Sequence, residues 1–133
     1  MERRAFDRKT AGFPVRFRIV REGSQMRISE PTEGTARDLA PDGISLETPH
    51  IVFDGLHISY DEHPATKNRV YLQFDLPTRQ TIKAVGETVW YERISTAEPW
   101  FVVGLKFVEI TGEDRKALTD YLQATALGPP LTL

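Results

Sequence analysis

The chain has 133 residues, about the length of one domain, and its 40% hydrophobic and 27% charged residues are ordinary for a folded soluble protein. This length excludes a large multidomain enzyme. The absence of cysteine excludes disulfides, thiolate catalysis and cysteine-based metal sites. Seven Phe, four Tyr and two Trp, together with nine Gly and nine Pro, favour strands and tight turns over a helical bundle.

Charge is distributed unevenly along the chain. Residues 1–27 carry eight Lys/Arg against three Asp/Glu, a net charge of +5, whereas the remaining residues carry nine against 16, a net charge of −7. A basic N-terminal segment on an acidic body favours a small anionic ligand over a long nucleic acid, which the body would repel. The sequence also shows neither a secretory signal nor a membrane span, so we predict a cytoplasmic protein.

Alternating apolar residues predict a series of short strands, beginning with Val15, Phe17 and Ile19. Pro41-Asp42-Gly43 predicts a turn in which the proline fixes φ and the glycine takes a positive φ. The other predicted strands lie near Met26–Ile28, Gly34–Leu39, Ile44–Leu46, Val70–Leu76, Ile82–Tyr91 and Phe101–Phe107.

A single helix is predicted near the end of the chain. Thr111 can cap it, and Asp114, three residues later, can complete a capping box. Apolar residues at helical spacing follow, and Gly128-Pro129 prevents continuation. Six or seven short strands followed by this helix predict an all-β protein, an antiparallel barrel with a helical lid.

These patterns predict one domain with five parts. We expect a flexible basic arm at 1–12, a barrel at 13–110 with an inserted segment at about 49–69, a C-terminal helix at 111–126 and a tail at 127–133. The inserted segment contains Asp54-Gly55, which favours a hairpin turn.

Residues for catalysis are not evident in the sequence. The three histidines, His50, His57 and His63, fall in one irregular stretch without metal-ligand spacing. There is no nucleophile elbow and no phosphate-binding glycine-rich loop. We therefore predict no catalytic residues, no metal and no cofactor, and a protein that is not an enzyme.

Two short motifs are more specific in combination than alone. Arg4 and Arg8 form Arg-x-x-x-Arg before the first strand, and Asp38–Gly43 reads Asp-Leu-Ala-Pro-Asp-Gly, 30 positions after Arg8. Two arginines in a basic terminus are usually solvated, and an Asp-Gly turn is usually only a turn. Together they resemble the PilZ family of bacterial cyclic di-GMP receptors, whose pattern pairs Arg-x-x-x-Arg with Asp/Asn-x-Ser-x-x-Gly. The resemblance covers most of the chain apart from Pro49–Arg69.

The resemblance implies a six-stranded antiparallel split barrel of PilZ type with a C-terminal helix, and a site for cyclic di-GMP. Arg4 and Arg8 would clamp phosphates and bases, assisted by Arg3, because arginine forks onto phosphate and stacks on bases. Asp38 would accept hydrogen bonds from guanine, and Gly43 would let the backbone approach closely. Ligand binding would change the conformation and signal through an unidentified protein partner in motility or surface attachment and biofilm formation.

Ala40 departs from the family pattern, which has Ser at this position. Losing a hydroxyl contact costs on the order of 1 kcal/mol, less than tenfold in affinity. The alternative is a degenerate PilZ adaptor that does not bind cyclic di-GMP and acts only through protein–protein contacts.

Two further interpretations concern the inserted segment and the aromatic residues. The segment at 49–69 is either a surface for a partner or a hairpin packed on the barrel. Four aromatic residues are predicted to fill the core beneath the helix: Trp90, Phe101, Phe107 and Tyr121.

Overall fold

The computed structural model describes residues 9–10, 12–23, 25–60, 67–94 and 99–126. Within these residues the chain forms ten strands and one helix. Their bounds are β1 (Lys9–Thr10), β2 (Pro14–Arg21), β3 (Arg27–Ile28), β4 (Thr32–Ala40), β5 (Gly43–Thr48), β6 (Val52–Phe53), β7 (Leu56–His57), β8 (Arg69–Asp75), β9 (Thr81–Arg93), β10 (Phe101–Ile110) and α1 (Gly112–Ala126).

Six of these strands close into a barrel. β4, β5, β10, β9, β8 and β2 pair in that order, every pair antiparallel, and β2 pairs with β4 to complete the circuit. Closure removes the open edges of these strands. The short strands β1 and β3 attach outside the circuit, to β4 and β2. The predicted all-β barrel with a C-terminal helix is confirmed.

The barrel is held together by a core that every one of its strands supplies. In β2 the predicted alternation is confirmed, since Val15, Phe17 and Ile19 are buried while Arg16 and Arg18 are exposed. Burying an aliphatic or aromatic side chain contributes roughly 1.5–3 kcal/mol. Other core residues include Ala36, Leu46, Val70, Leu72, Ile82, Val103 and Leu105.

Helix α1 covers the core with its apolar side. Leu118 and Leu122 are buried in the core cluster. The Thr111 hydroxyl accepts a hydrogen bond from the Asp114 N–H at 3.1 Å, which confirms Thr111 as the cap. The Asp114 carboxylate does not close the predicted capping box; it accepts the backbone N–H of Lys83 at 3.0 Å and so ties the helix to β9. Among the described residues no helix has the length and apolarity needed to cross a bilayer.

The inserted segment contains the predicted hairpin. Asp54 and Gly55 both have positive φ, 55° and 83°, as a type I′ turn between β6 and β7 requires. The Arg27 guanidinium donates to the Asp54 carbonyl, and the Glu30 N–H donates to the Asp54 carboxylate, each at 2.7 Å. Leu56 enters the core. Hydrogen bonds at the turn and the burial of Leu56 therefore hold the hairpin against the barrel.

Candidate functional site

The structure describes half of the predicted binding residues. Arg3, Arg4 and Arg8 lie outside the described residues. Strand β1 begins at the residue that follows Arg8 and pairs with β4, with Thr10 opposite Asp38. The arginine motif is therefore continuous in sequence with a strand that lies beside the second motif.

The Asp38 carboxylate faces outward because of a β-bulge. Gly34, Ala36 and Leu39 are buried, and regular alternation from Ala36 would have turned Asp38 inward. Between Ala36 and Asp38 the register with β5 shifts, leaving Arg37 as the extra residue. A bulge of this kind re-aims the side chain that follows it.

Ser45 holds Asp38 in place from the neighbouring strand. The Ser45 hydroxyl donates to the Asp38 carboxylate at 3.3 Å and accepts the Asp38 N–H at 3.1 Å. Ser45 is buried and Asp38 half-buried. Two contacts to one buried hydroxyl fix the carboxylate before any ligand arrives.

A row of four residues crosses the outer face of four strands. Asp38 pairs with Ser45, Ser45 with Gly104, and Gly104 with Trp90. The Trp90 indole lies directly over Gly104, where an added Cβ would collide with the ring. The glycine therefore provides the space in which the indole lies flat against the sheet.

Trp90 does not fill the core, so that prediction is wrong. Its side chain is 47% exposed. A second bulge explains the error: Gly104 pairs with Trp90 but Leu105 pairs with Thr88, which leaves Val89 as the extra residue. Thr88 is buried, and the bulge turns Trp90 outward where alternation would have turned it inward. The proximity of Gly104 and Trp90 depends on strand register, and no local signal in the sequence indicates it.

A shallow pocket of about 270 Å³ lies between the bulged segments of β4 and β9. Its lining consists of Arg37, Asp38, Trp90, Glu92 and Val102. Val102 is buried and lies outside the core cluster, so it forms an apolar floor on the outer face. A fixed carboxylate beside an exposed indole suits a planar base that carries N–H donors.

Ala40 and Gly43 close the hairpin between β4 and β5. They pair across the turn of Pro41 and Asp42. Gly43 does not have the predicted positive φ, because it already belongs to the extended strand β5. Its small size is required for another reason: an added Cβ would collide with the Leu105 carbonyl oxygen. This contact is with β10; the predicted close approach of the Gly43 backbone to a ligand stays a prediction.

One histidine lies in an aromatic cluster between the hairpin and β9. The His57 ring stacks on Tyr60 with centroids 4.8 Å apart and lies 5.4 Å from Tyr91, the residue after Trp90. Burial lowers the pKa of His57, and its Nδ1 accepts the Ser59 N–H at 3.0 Å. No group of three metal-ligating side chains occurs within the described ranges, and His63 lies outside them.

Comparison with known proteins identifies the family. A model of the PilZ domain matches residues 2–124, so the chain belongs to the PilZ family, as the motifs predicted. PilZ domains are non-enzymatic receptor domains. A search of curated protein sequences gave no match.

Solved structures show the same fold. The Bacillus subtilis inhibitor of motility, MotI (DgrA), is 20% identical with a TM-score of 0.66, over 98% of this chain and 54% of that one. The PilZ domain of Escherichia coli YcgR with c-di-GMP is 10% identical with a TM-score of 0.56, over 92% and 91%. This chain therefore spans about half the length of MotI.

Proposed function

We propose that this domain is a cyclic di-GMP receptor that binds its ligand on the outer face of the barrel and signals by contact with a protein partner. The observation that carries this proposal is the row from Asp38 through Ser45 and Gly104 to Trp90. This row contains a hydrogen-bond acceptor, the Asp38 carboxylate, and an exposed aromatic side chain, Trp90. Its Asp38 end lies beside β1, the strand that follows the arginine motif. The domain would itself have no catalytic activity and no cofactor.

The guanine base binds between Asp38 and Trp90, in the part of the site that the structure describes. Asp38 accepts hydrogen bonds from the guanine N1–H and amino group, and its alignment is maintained by Ser45. Trp90 offers its exposed face for stacking, an interaction worth about 1–3 kcal/mol per base. Both features exist before binding, so little reorganisation is needed.

The phosphates of the ligand bind to the arginine motif. Arg4 and Arg8 form bidentate contacts to phosphate oxygens or to the guanine edge, and Arg3 assists. A ligand that bridges these arginines to Asp38 links the N-terminal arm to the barrel face. We propose that this linkage is the conformational signal, of the order–disorder type seen in other switches.

Ala40 supports a second candidate, the adaptor that does not bind cyclic di-GMP. The hydroxyl expected at this position is absent, while the backbone of the hairpin is kept. A missing neutral contact of about 1 kcal/mol weakens binding less than tenfold, which leaves a receptor functional if the arginines and Asp38 contribute fully.

Isothermal titration calorimetry with cyclic di-GMP tests the proposal on four proteins. The wild type should bind, and Arg8→Ala and Asp38→Ala should each weaken binding at least about tenfold. Arg115→Ala, which removes an exposed arginine on α1, is the matched control and should bind as the wild type does.

Two outcomes would contradict the proposal in different ways. If the folded wild type gives no heat, the adaptor is correct and the receptor is not. Binding that is unaffected by both Arg8→Ala and Asp38→Ala would show that the ligand is right and the site wrong.

A further inference from the structure

A second concave surface lies on the outer face of β2, β8 and β9. It has a volume of about 670 Å³ and shares no lining residue with the pocket around Asp38. We call it the basic groove and define it by six outward-facing residues of β2, β8 and β9. They are Arg16, Arg18, Tyr71, Gln73, Lys83 and Val85.

Strand register arranges these residues in two parallel rows. Arg16, Gln73 and Lys83 are consecutive partners across β2, β8 and β9. The second row consists of Arg18, Tyr71 and Val85 and continues to Glu109 on β10. Rows two residues apart lie about 7 Å from each other, and the two spacings between three strands make the groove about 9.5 Å long. That length accommodates about three residues of an extended peptide.

Within the described ranges no carboxylate forms an ion pair with the three cations of the groove, Arg16, Arg18 and Lys83. This includes Glu33, the cross-strand partner of Arg16 on β4. The nearby Glu109 is not available to them, because Arg69 binds it at 3.2 Å. The Asp114 carboxylate is engaged by the Lys83 backbone N–H. Three cations on one concave surface therefore create a local positive potential, although residues 28–133 carry a net charge of −7.

The floor of the groove is apolar. Val85 is only 8% exposed, yet it lies outside the core cluster and points away from the barrel interior. Tyr71 is 42% exposed, and its hydroxyl donates to Glu22 at 3.4 Å. A valine and the face of the tyrosine ring offer a contact for an apolar side chain between the charges.

We propose that the basic groove docks an extended acidic segment of a partner protein. Its carboxylates would pair with Arg16, Arg18 and Lys83, and an intervening apolar side chain would pack on Val85 and Tyr71. Only the assignment of this segment to the signalling partner rests on the proposed function. Binding in the groove itself does not require cyclic di-GMP.

Selection of random heptapeptides displayed on phage tests this proposal without a known partner. Immobilised full-length protein should enrich peptides that contain two or more Asp/Glu around an apolar residue. The affinity of the best peptide, measured by fluorescence anisotropy, should fall at least about tenfold in Arg16→Glu/Arg18→Glu. Arg115→Glu/Lys116→Glu, an equal charge change on exposed helix positions, should change it less than about twofold.

Each result has one meaning. Enrichment without an acidic bias overturns the proposal, as does an equal loss in the two double variants at matched thermal stability. Cyclic di-GMP titration of Arg16→Glu/Arg18→Glu should match the wild type, because the groove and the ligand pocket share no residue. If cyclic di-GMP fails to bind the wild type while acidic peptides bind the groove, the proposed receptor function fails and the groove stands.

Discussion

The two outer surfaces of this barrel differ in how far the protein satisfies their polar groups. On the face that carries Asp38 and Trp90, which we call the ligand face after its proposed role, Asp38 is held by Ser45, Arg37 pairs with Glu47 at 3.9 Å, and Trp90 lies over Gly104. In the basic groove three cations have no ion pair with any described carboxylate. A preorganised face suits a small ligand that must be oriented, whereas unpaired cations suit a partner that brings its own carboxylates.

The two surfaces also have different structural origins. Burial alternates from Pro14 to Ile19 in β2 and along the whole of β8, so the outward orientation of Arg16, Arg18 and Tyr71 follows from period 2. Asp38 and Trp90 face outward only because Arg37 and Val89 interrupt the alternation. A regular strand therefore builds the groove, and two bulges build the ligand face.

The largest expected effect comes from filling the space beneath Trp90. Gly104→Ala places a Cβ against the indole and should lower the free energy of unfolding by about 1–3 kcal/mol. The displaced indole should also weaken cyclic di-GMP binding without affecting peptide binding in the groove. Urea unfolding of Gly104→Ala, Trp90→Ala and the double variant measures the coupling.

The double variant decides whether the indole is the cause. In the Trp90→Ala background the alanine at position 104 should cost much less, and an equal cost in both backgrounds would contradict the contact. Gly112→Ala is the matched control, because no atom lies within 4 Å of its added Cβ.

Trp90→Ala alone should weaken binding at the ligand face and leave binding in the basic groove unchanged. Loss of one stacked base contact should weaken cyclic di-GMP binding about tenfold or more, while acidic-peptide affinity stays unchanged. Calorimetry and anisotropy on the same preparation measure both. Val89→Ala removes a neighbouring exposed side chain that does not line the pocket and should have no effect on either; parallel losses in the two variants would argue against stacking.

Ala40→Ser should increase the affinity of the ligand face for cyclic di-GMP. Restoring the hydroxyl of the family pattern should tighten cyclic di-GMP binding by about 0.5–1.5 kcal/mol, up to roughly tenfold. The gain should disappear in Arg8→Ala/Ala40→Ser if the hydroxyl acts in the proposed site. An unchanged affinity in Ala40→Ser would mean that the hairpin turn does not contact the ligand.

The smallest expected effect is a pH dependence of stability from the ring cluster of His57, Tyr60 and Tyr91. Burial lowers the pKa of His57 below its usual 6.5, so the unfolded chain binds the proton more readily than the folded one. The free energy of unfolding should therefore fall as the pH is lowered through and below about 6.5. His57→Phe should flatten this slope, with His50→Phe as the control for loss of an exposed imidazole.

Much of the fold could be predicted from local patterns. Alternation located the strands that enclose the core, Thr111 marked the start of the helix, and Asp54-Gly55 marked the hairpin. The site could be predicted only in part. Of the residues in the proposed site, the motif predicts Asp38 but not Ser45 or Trp90, because pairing between strands distant in the chain brings those two to the same face.

Length, composition and charge predict one cysteine-free domain with a basic N-terminal segment. The sequence by itself determined which residues alternate, where the chain turns and which family it resembles, since those signals are local. The tertiary structure decided that the barrel closes through β2 and β4 and that two bulges turn Asp38 and Trp90 to the same face. Register depends on the packing of both strands at once, and a single strand's pattern does not contain it.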